Sequence, residues 1–418
     1  MSEAVTKQYT MLRDKQIVVC VTGGIAVYKA AELVRMLAKK GANVHVVMTK
    51  NAMEFVTPLT FQTLSGNSVT HEMFELLADS KIGHIVLSDL ADQLVIAPAT
   101  ANIIGKIAGG IADDFLSTMV MATRVPVLLV PAMNTKMWES RIVQGNIDKL
   151  RENGYEFIEP DTGDLACGWE GKGRMPPLEE IVEKMEDIFT VKDLVDERIM
   201  VTAGPTQEFI DPVRCITNRS SGKMGYALAK IAHRRGAEVI LVTGRTDLPK
   251  PSAVEVVEVV TATEMKNAVM KRQAECTVII KAAAVADFRS KALRYHKIKK
   301  KPGEEEVVLE LDRNPDILQE LGRIKEDKIL VGFAAETENL IQNAQDKLKR
   351  KNLDLVVAND VTKQGIGFGS DDNEVIIVSA HGRTKHVPKL SKEEVAHVIL
   401  DVVKRVIQKK RKYEDDWL

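Results

Sequence analysis

Short runs of β-branched residues alternate with helical segments along this chain, and no other feature of the sequence restricts its fold as strongly. Residues 16–22 form one such run, residues 27–40 follow with the apolar spacing of a helix, and residues 44–48 form the next run. Continuous apolar runs are typical of strands buried on both faces, and a helix between them lets the strands pair in parallel. The pattern predicts an α/β fold whose parallel sheet is covered by helices on both sides.

The same alternation restarts in the second half of the chain, after a charged helical stretch over residues 180–198 that contains no strand pattern. Further runs of this kind lie at residues 93–97, 125–130, 198–203, 238–243, 277–281, 329–332 and 353–357. At 418 residues the chain exceeds the size of one ordinary core. We therefore predict two doubly wound, Rossmann-like parallel-sheet domains, residues 1–190 and residues 191–418.

The charge balance and the cysteines argue against several classes of protein. The 58 Lys and Arg residues are matched by 59 Asp and Glu residues, whereas nucleic acids and anionic membranes attract a clustered positive charge. No apolar run reaches the roughly 18 residues of a membrane-spanning helix, and residues 1–16 lack the apolar core of a signal peptide. The four cysteines are widely separated, as in proteins of a reduced cytoplasm. We expect a cytoplasmic protein that binds neither nucleic acid nor membrane.

A glycine pair at the end of the first predicted strand is the first candidate binding site. Gly23 and Gly24 stand directly before the predicted helix. Glycines let a phosphate approach the backbone, and a helix N-terminus supplies N–H donors. The full GxGxxG pattern of dinucleotide sites is missing, which favours a mononucleotide such as FMN and disfavours a generic dehydrogenase. A tight turn without any ligand explains the two glycines equally well.

Three polar residues of the first half stand near other predicted element ends. His84 lies near a predicted helix start, where it faces the ligand crevice of a parallel sheet or is a hydrogen-bonded structural histidine. Asn134 follows the run at residues 125–130 and is a ligand contact or a helix cap. Cys167 lies in a glycine-rich polar segment, residues 165–174, where packing explains a cysteine poorly. A lid loop that carries a proton donor explains it better.

The first half resembles the flavin-containing cysteine decarboxylases in a series of short motifs. In order, these are GGIA, GHIVLSDLAD, APATAN, ADDF, PAMNxxMW and ACGxxGxGR. The resemblance implies a flavodoxin-like fold, with His84 as the catalytic histidine, Asn134 on the substrate carboxylate and Cys167 as proton donor to an ene-thiol intermediate. It also implies an FMN site that is formed by Gly23, Gly24, Ile25, Thr49, Ala99 and Thr100.

The implied reaction has a physical rationale. Loss of CO2 from a cysteinyl carboxylate leaves an unstabilised carbanion, whereas prior oxidation of the thiol by FMN gives a thioaldehyde that accepts those electrons. An acid such as Cys167 then supplies the proton for the final reduction. The protein has to align thiol, flavin and carboxylate and to exclude water.

Candidate anion-binding residues of the second half each have an ordinary explanation when considered singly. Residues 220–225 (SSGKMG) lie at a predicted helix start but lack the P-loop pattern, which argues against an ATPase of that class. Asp287 is a metal or ribose ligand, or a helix cap. Lys347 and Lys351 lie four residues apart on one helix face, where most such pairs are solvated. Together with the basic run at residues 297–301, they indicate one triphosphate-binding crevice.

The second half resembles the phosphopantothenate–cysteine ligase domain, again in a series of motifs. These are TAGPTxExxDPVRxITNxSSGKMG, AAVADF, KIKK, NPDI, GFAAET and KNLDLVVAND. The resemblance implies that Arg214 and Asn218 contact an acyl-cytidylate intermediate and that Lys297 acts in the second half-reaction. It implies CTP contacts at Ala282, Ala283, Ala284, Asp287, Lys297, Asn314, Pro315, Asp316, Ile317, Phe333, Lys347 and Lys351. It also implies Mg2+ on the triphosphate, with Asp287 as a metal ligand.

The two halves together resemble the bacterial bifunctional enzyme of coenzyme A biosynthesis, whose small-molecule partners are 4′-phosphopantothenate, L-cysteine and CTP. The resemblance implies trimers of the flavin halves with FMN at the subunit interface, dimers of the ligase halves, and a dodecamer. A non-catalytic flavoprotein regulator and a peptidyl-cysteine decarboxylase share the first set of motifs, but neither requires the second. Residues 290–306, charged and glycine-containing, are a candidate flap over the nucleotide.

Overall fold

The computed structural model describes residues 11–73, 83–164, 168, 170–251, 254–299, 308–336, 338–360 and 369–415 of the chain. These residues form two units, which divide in sequence between Thr190 and Val191. Each unit contains its own main sheet and its own buried clusters of apolar side chains. The predicted α/β fold is confirmed for both.

The first unit begins with the predicted strand, helix and strand. Its strands are β1 (Gln16–Val21), β2 (Asn43–Met48), β3 (Val69–Thr70), β4 (Gln93–Ala99), β5 (Val127–Pro131), β6 (Glu156–Phe157), β7 (Asp161–Asp164) and β8 (Glu170–Arg174). Its helices are α1 (Val27–Lys39), α2 (Lys50–Met53), α3 (Pro58–Ser65), α4 (Gly83–Leu90), α5 (Ala101–Gly109), α6 (Phe115–Ala122), α7 (Thr135–Trp138), α8 (Arg141–Glu152) and α9 (Leu178–Phe189).

The main sheet of the first unit is parallel throughout and has the strand order β3-β2-β1-β4-β5-β6. Without the short edge strand β3, the order is that of flavodoxin-like folds; with it, the order is that of Rossmann folds. The chain reverses its direction of travel across the sheet between β1 and β4. Ligands of open α/β sheets bind outside the carboxyl ends of the strands at such a point.

Both faces of this sheet are buried, as the continuous apolar runs predict. Val19 and Cys20 are neighbours in β1 and point to opposite faces, yet both are fully buried. Val19 packs in the cluster that contains α1 residues such as Leu33, whereas Cys20 packs in the cluster that contains α5 residues such as Ile104. The helices therefore cover the sheet on both sides, which fixes the loops at the strand ends as the accessible part of the unit.

The second unit repeats this architecture with additional strands. Its strands are β9 (Arg198–Ala203), β10 (Gln207–Phe209), β11 (Cys215–Thr217), β12 (Glu238–Thr243), β13 (Glu255–Glu258), β14 (Val278–Lys281), β15 (Phe288–Ser290), β16 (Leu311–Arg313), β17 (Ile329–Glu336), β18 (Leu355–Asp360), β19 (Asp372–Ser379) and β20 (Thr384–Ser391). Its helices are α10 (Lys223–Arg234), α11 (Ala262–Arg272), α12 (Ile317–Arg323), α13 (Leu340–Arg350) and α14 (Lys392–Asp415), with a 3-10 turn at Gln273–Glu275.

The eight-stranded sheet of the second unit has the order β13-β12-β9-β14-β17-β18-β19-β20. Its first six strands are parallel and follow the same order as the sheet of the first unit, whereas β19 and β20 are antiparallel. The sequence analysis missed this antiparallel edge. Strand β20 has two separate buried residues, Val387 and Leu390, and forms no continuous apolar run, and the short apolar run at residues 375–378 of β19 was not selected.

The segment before β9 is tied to the second unit by ion pairs. Both carboxylate oxygens of Asp193 accept hydrogen bonds from the Arg235 guanidinium, at 2.8 and 2.9 Å, and Lys404 Nζ donates to Asp193 at 2.8 Å. Arg235 also pairs with Asp401 at 2.8 Å, and its side chain is only 5% exposed. Because a buried guanidinium requires partners, Asp193 is part of the folded second unit.

No helix in the described part of the chain combines the length and the apolar character that crossing a membrane requires.

Candidate active sites

A cavity of 1310 Å³ lies at the carboxyl ends of β1 and β4 in the first unit. Its lining includes residues that the sequence analysis selected, namely Gly23, Gly24, Ile25, Thr49, Thr100 and Asn134. Ala99 and His84 do not line it, because Ala99 is fully buried within β4 and His84 lies behind Phe115. The cavity occupies the reversal point of the sheet, where the fold places ligands.

The glycine loop packs closely on the segment that contains Asn51 at one edge of this cavity. A Cβ atom on Gly23 would lie 2.4 Å from Cβ of Asn51, so that no other residue fits there without displacement. Helix α1 follows, and its N-cap residue Ala26 makes no side-chain hydrogen bond to the first turn. Among the first N–H groups of α1, those of Val27 and Lys29 donate to the carbonyl oxygens of Gly24 and Ala26, both at 3.0 Å.

Thr22 holds the ends of β1 and β4 together beneath the cavity. Its hydroxyl donates to the carbonyl oxygen of Pro98 at 2.6 Å and accepts from the backbone N–H of Thr100 at 3.3 Å. The Thr100 hydroxyl in turn accepts from the N–H of Ile103 and caps α5. Thr22 lines the cavity but was not selected from the sequence, since a threonine at a strand end has many explanations.

His84 lies in the first turn of α4, as predicted, and contacts a residue of the cavity wall. Its ring meets the Phe115 ring edge to face, with 6.0 Å between the centroids, and Phe115 lines the cavity. Nδ1 of His84 is buried and has no hydrogen-bond partner in the described part of the chain. The alternative of a fully hydrogen-bonded structural histidine therefore does not hold for this nitrogen.

Asn134 caps α7 and also lines the cavity. Its Oδ1 accepts from the backbone N–H of Lys136 at 2.9 Å, which confirms the helix-cap interpretation. The neighbouring Met133 N–H donates to the carbonyl oxygen of Gly173 in β8 at 2.9 Å. A Cβ on Gly173 would lie 2.2 Å from the Met133 carbonyl oxygen, so the β7–β8 hairpin packs closely on this loop.

Cys167 lies outside the described residues, together with Leu165, Ala166 and Trp169. The strands on either side of that segment are antiparallel partners, and Asp164, Gly173 and Arg174 at their ends line the cavity. The hairpin that carries Cys167 thus borders the cavity. Of the described cysteines, Cys20 and Cys276 are buried, Cys215 is exposed, and none lines a cavity described here.

The second unit has a cavity of 920 Å³ at the carboxyl ends of β14 and β17, again beside the reversal point of the sheet. It brings together most of the residues selected in this half, namely Asn218, Ala282, Ala283, Ala284, Asp287, Asn314, Pro315, Asp316, Ile317, Phe333, Lys347 and Lys351. Arg214 and Lys297 are not part of its lining. The lining also includes Lys281 and Lys392, which the sequence analysis did not select.

The small residues after β14 form one wall of this second cavity. The N–H groups of Ala283 and Ala286 donate to the hydroxyls of Thr202 and Thr206, at 3.1 and 2.9 Å, which anchors the loop to the end of β9. On the other side, Nδ2 of Asn218 donates to the Ala284 carbonyl oxygen at 3.1 Å. The loop is therefore rigidly held while its methyl groups leave room for a ligand.

Asp287 and Asn314 stand at the end of that loop. The suggestion that Asp287 caps a helix is wrong, because strand β15 follows it and its side chain is exposed. Nδ2 of Asn314 donates to the Ala286 carbonyl oxygen at 2.9 Å, whereas its buried Oδ1 has no partner among the described residues. An unsatisfied buried acceptor beside a cavity is suited to a ligand donor such as a hydroxyl or an amine.

Two lysines of α13 and its C-terminal cap are aimed at the second cavity and are not simply solvated. Lys347 donates to the Phe333 carbonyl oxygen at 2.7 Å, and Lys351 forms an ion pair with Asp316 at 2.8 Å. Asp316 also caps α12 through the Gln319 N–H. Burial alone would raise the pKa of the Asp316 carboxyl, but the hydrogen bond from Lys351 holds this pKa below its usual value.

Arg214 is held away from this lining by a buried carboxylate. Asp211 accepts from the Arg214 guanidinium at 3.0 Å and from the N–H of Ile298 at 3.1 Å, and its side chain is fully buried. The guanidinium also donates to the Ile298 carbonyl oxygen at 3.3 Å. Lys297, next to Ile298, is exposed. Residues 300–307, which include Lys300, Lys301 and the last part of the candidate flap, lie outside the described residues.

No cluster of three or more His, Cys, Asp or Glu side chains suited to a metal ion occurs within the ranges that the structure describes. Asp287, the metal ligand that the family resemblance implies, is exposed at the cavity edge, and Asp316 is a second carboxylate in the cavity lining. Mg2+ commonly uses one or two carboxylates together with substrate phosphates, so a single carboxylate at the cavity edge is compatible with such a site.

Comparisons with known proteins agree for the two halves. Residues 5–190 match the family model described as Flavoprotein, and residues 194–407 match the model described as DNA/pantothenate metabolism flavoprotein C-terminal domain. The coenzyme A biosynthesis bifunctional protein CoaBC of Bacillus subtilis (strain 168) is 48% identical over 397 residues, which is 94% of this chain and 97% of that protein. The protein of the same name from Escherichia coli (strain K12) is 43% identical over 96% of this chain and 100% of its own length.

Among solved structures, the crystal structure of the C-terminal domain of a coenzyme A biosynthesis bifunctional protein CoaBC is 43% identical. It covers 52% of this chain and 99% of its own, with a TM-score of 0.45.

Proposed function

This chain belongs to the family of coenzyme A biosynthesis bifunctional proteins, and from that membership we propose that it catalyses two consecutive steps, one in each unit. Residues 191–418 join L-cysteine to 4′-phosphopantothenate in a reaction driven by CTP. Residues 1–190 then decarboxylate 4′-phosphopantothenoylcysteine to 4′-phosphopantetheine with the help of FMN. A bifunctional enzyme accounts for both sets of motifs, whereas a peptidyl-cysteine decarboxylase or a regulatory flavoprotein accounts for one.

The observation that best supports the ligase step is the second cavity, where lysines face a wall of small residues. A carboxylate is a poor acyl donor, so its oxygen first attacks the α-phosphorus of CTP and pyrophosphate leaves. The cysteine amine then attacks the acyl carbon, and CMP leaves with the bonding electrons. Lys347 and Lys351 would hold phosphate charge, Asn218 the acyl-cytidylate and Asp287 a magnesium ion. Arg214 is paired with Asp211 outside the cavity lining and would contact the acyl-cytidylate only after leaving that carboxylate. Lys297 would reach the site from the exposed basic run.

The first cavity suits FMN, since Gly23 and Gly24 line it directly before the start of α1, and a helix start is suited to a phosphate. Gly23, Gly24, Ile25, Thr49 and Thr100 would hold the cofactor, whereas Ala99, which is buried within β4, would not touch it. When bound, FMN supplies the two-electron oxidation of the substrate thiol and the return of those electrons after CO2 has left. His84, fixed against Phe115, would orient the reacting groups, Asn134 would bind the carboxylate and Cys167 would donate the last proton.

The combined proposal is tested by supplying the purified protein with 4′-phosphopantothenate, cysteine, CTP and Mg2+. We expect a yellow protein that releases pyrophosphate and CO2 and produces 4′-phosphopantetheine. Release of CO2 from phosphopantothenoylcysteine without pyrophosphate formation in the full reaction would contradict the ligase step. A protein that performs neither step would instead support the regulatory flavoprotein.

Replacement of Gly23 by alanine is expected to abolish FMN binding. The new Cβ would lie 2.4 Å from Cβ and 2.7 Å from the backbone carbon of Asn51, so the glycine loop at the cavity edge must move away from Asn51. Absorbance of the purified protein near the flavin maximum measures bound FMN. The matched control is Gly145→Ala in α8, where a Cβ meets no atom within 4 Å and where alanine favours the helix. Equal flavin content in both variants would contradict the placement of the FMN phosphate at this loop.

Our proposal for the assembly is trimers of the flavin halves, with FMN at the subunit interface, and dimers of the ligase halves, which combine to a dodecamer in the cytoplasm. Large apolar side chains are exposed in the described part of both units, for example Ile142 at 77% and Tyr295 at 84%. Large apolar and aromatic side chains are common in the buried cores of subunit interfaces. Mass photometry of the purified protein tests the proposal, and a monomer would contradict it.

A further inference from the structure

Lys281 is an unexpected residue at the centre of the second sheet. It is the last residue of β14 and pairs with Thr202 of β9 on one side and with Gly332 of β17 on the other. Side chains alternate along a strand, so Lys281 lies on the same face as Ile279. Ile279 packs in the cluster that contains residues of α12 and α13. The ammonium group therefore lies on the side of the sheet that these two helices cover.

This position places Lys281 among the charged groups of the second cavity, which it lines. The charged side chains that face it from the surrounding elements are Lys347, Lys351, Asp316 and Asp287. Lys351 is already paired with Asp316, and Lys347 donates to the Phe333 carbonyl oxygen. Lys281 itself makes no hydrogen bond or ion pair to any residue that the structure describes.

A lysine without a hydrogen-bond or ion-pair partner among the described residues is not explained by packing or by a surface role. It is partly buried, it ends an otherwise apolar strand, and two further lysines stand nearby. Burial, followed by repulsion from Lys347 and Lys351, lowers the pKa of the Lys281 ammonium group to about 7. Because the charged form of Lys281 is unfavourable among these lysines, an anion that binds in the cavity would stabilise that form strongly.

We propose that Lys281 is a further phosphate-binding residue of the ligase site and takes up a proton when the triphosphate of CTP enters. This inference rests on the proposed ligase function and adds to it a residue that the family resemblance does not assign. Lys281 approaches the anion from the floor of the cavity, at the end of the sheet, whereas Lys347 and Lys351 approach it from α13. The three ammonium groups then share a polyanion instead of repelling one another.

Proton uptake makes the affinity for CTP depend on pH in a defined direction. Below about pH 7 Lys281 is already protonated in the empty site, so affinity is constant there. Above that value, binding must add a proton, and affinity falls by about tenfold for each pH unit until the lysine of the complex also titrates. The bound triphosphate raises the pKa of this lysine toward the ordinary value, which places that limit well above neutral pH.

The test is calorimetric titration of the full-length protein with Mg–CTP, without phosphopantothenate, at about pH 8 in two buffers that differ in ionisation enthalpy. We expect the wild type to take up a large fraction of one proton. K281M should take up none and should bind CTP about tenfold more weakly near pH 7. K281R should bind CTP without proton uptake, since a guanidinium stays charged throughout. The matched control is K349M, whose lysine is exposed on α13 and does not line the cavity.

The outcomes separate this inference from the function on which it rests. CTP binding by the wild type without proton uptake would overturn the role of Lys281 and leave the ligase proposal intact. Unchanged proton uptake in K281M or K281R would also overturn the role of Lys281. If K281M fails to fold, the proton uptake of K281R alone tests that role. Absence of CTP binding by the wild type would overturn the ligase proposal and this inference with it. Loss of proton uptake in K281M and K281R, but not in K349M, supports the proposal.

Discussion

Replacement of Asn218 by aspartate is expected to reduce ligase activity by about 100-fold or more, a loss comparable to that of a key hydrogen-bond donor in other active sites. Nδ2 of Asn218 donates to the Ala284 carbonyl oxygen at 3.1 Å, on the wall of small residues. An aspartate would place a charged oxygen against that carbonyl and beside a bound triphosphate, so it would disturb the wall and repel the nucleotide. Pyrophosphate release from CTP, phosphopantothenate and cysteine measures the effect.

The same variant should decarboxylate supplied phosphopantothenoylcysteine normally, because Asn218 belongs to the second unit. Asn352→Asp is the matched control: Nδ2 of Asn352 also donates to a carbonyl oxygen, that of Gly322 at 2.9 Å, but Asn352 does not line the cavity. We expect it to retain ligase activity. Equal losses in the two variants would mean that the structural hydrogen bond, and not the position in the cavity, is what matters.

Replacement of Cys167 by serine is expected to reduce the formation of 4′-phosphopantetheine by about 10²–10⁴-fold, the usual contribution of a general acid. A serine hydroxyl is a far weaker acid than a thiol and cannot deliver the final proton at the same rate. Oxidation of the substrate and loss of CO2 precede that step, so CO2 release should stop after about one equivalent per bound flavin. Mass spectrometry of the products and CO2 detection in a single turnover measure both quantities.

Flavin content separates this effect from a loss of structure, since the variant should remain yellow. The control is Cys215→Ser, which removes an exposed thiol in the other unit and should leave both reactions unchanged. Multiple turnovers of Cys167→Ser at the wild-type rate would contradict the proton-donor role. Loss of CO2 release in the first turnover would assign Cys167 to an earlier step.

The sequence was sufficient to predict most of the fold because fully buried strands leave a strong local signal. The strand Arg198–Ala203 has the predicted bounds, and helix Val27–Lys39 ends one residue before the predicted end. The edge strand Thr384–Ser391 escaped because its two buried residues, Val387 and Leu390, form no apolar run, and its neighbour Asp372–Ser379 was missed although residues 375–378 are continuously apolar. The local pattern of apolar residues therefore predicts strands that are buried on both faces. It is a weak predictor for an edge strand that is only partly buried.

The local setting of Gly23 at a strand end left a tight turn and a binding loop equally possible, and only the ordered series of family motifs selected the binding loop. Lys281 could not be found in this way, because a lysine after an apolar run has no distinctive pattern until the sheet brings it beside Lys347 and Lys351. Arg214 shows the converse. The motif around Arg214 is evident in the sequence, but the sequence does not show that the buried Asp211 carboxylate binds its guanidinium. Asp211 also accepts from the N–H of Ile298, so this arrangement depends on the fold.

The ion pairs of Asp193 determine where a gene for the second half alone should begin. The family model for that half starts at residue 194, one position after the carboxylate that binds both Arg235 and Lys404. A fragment cut at residue 194 would leave the guanidinium of Arg235, which is 5% exposed, with Asp401 as its only remaining carboxylate among the described residues. An expression boundary at or before Val191 preserves this contact.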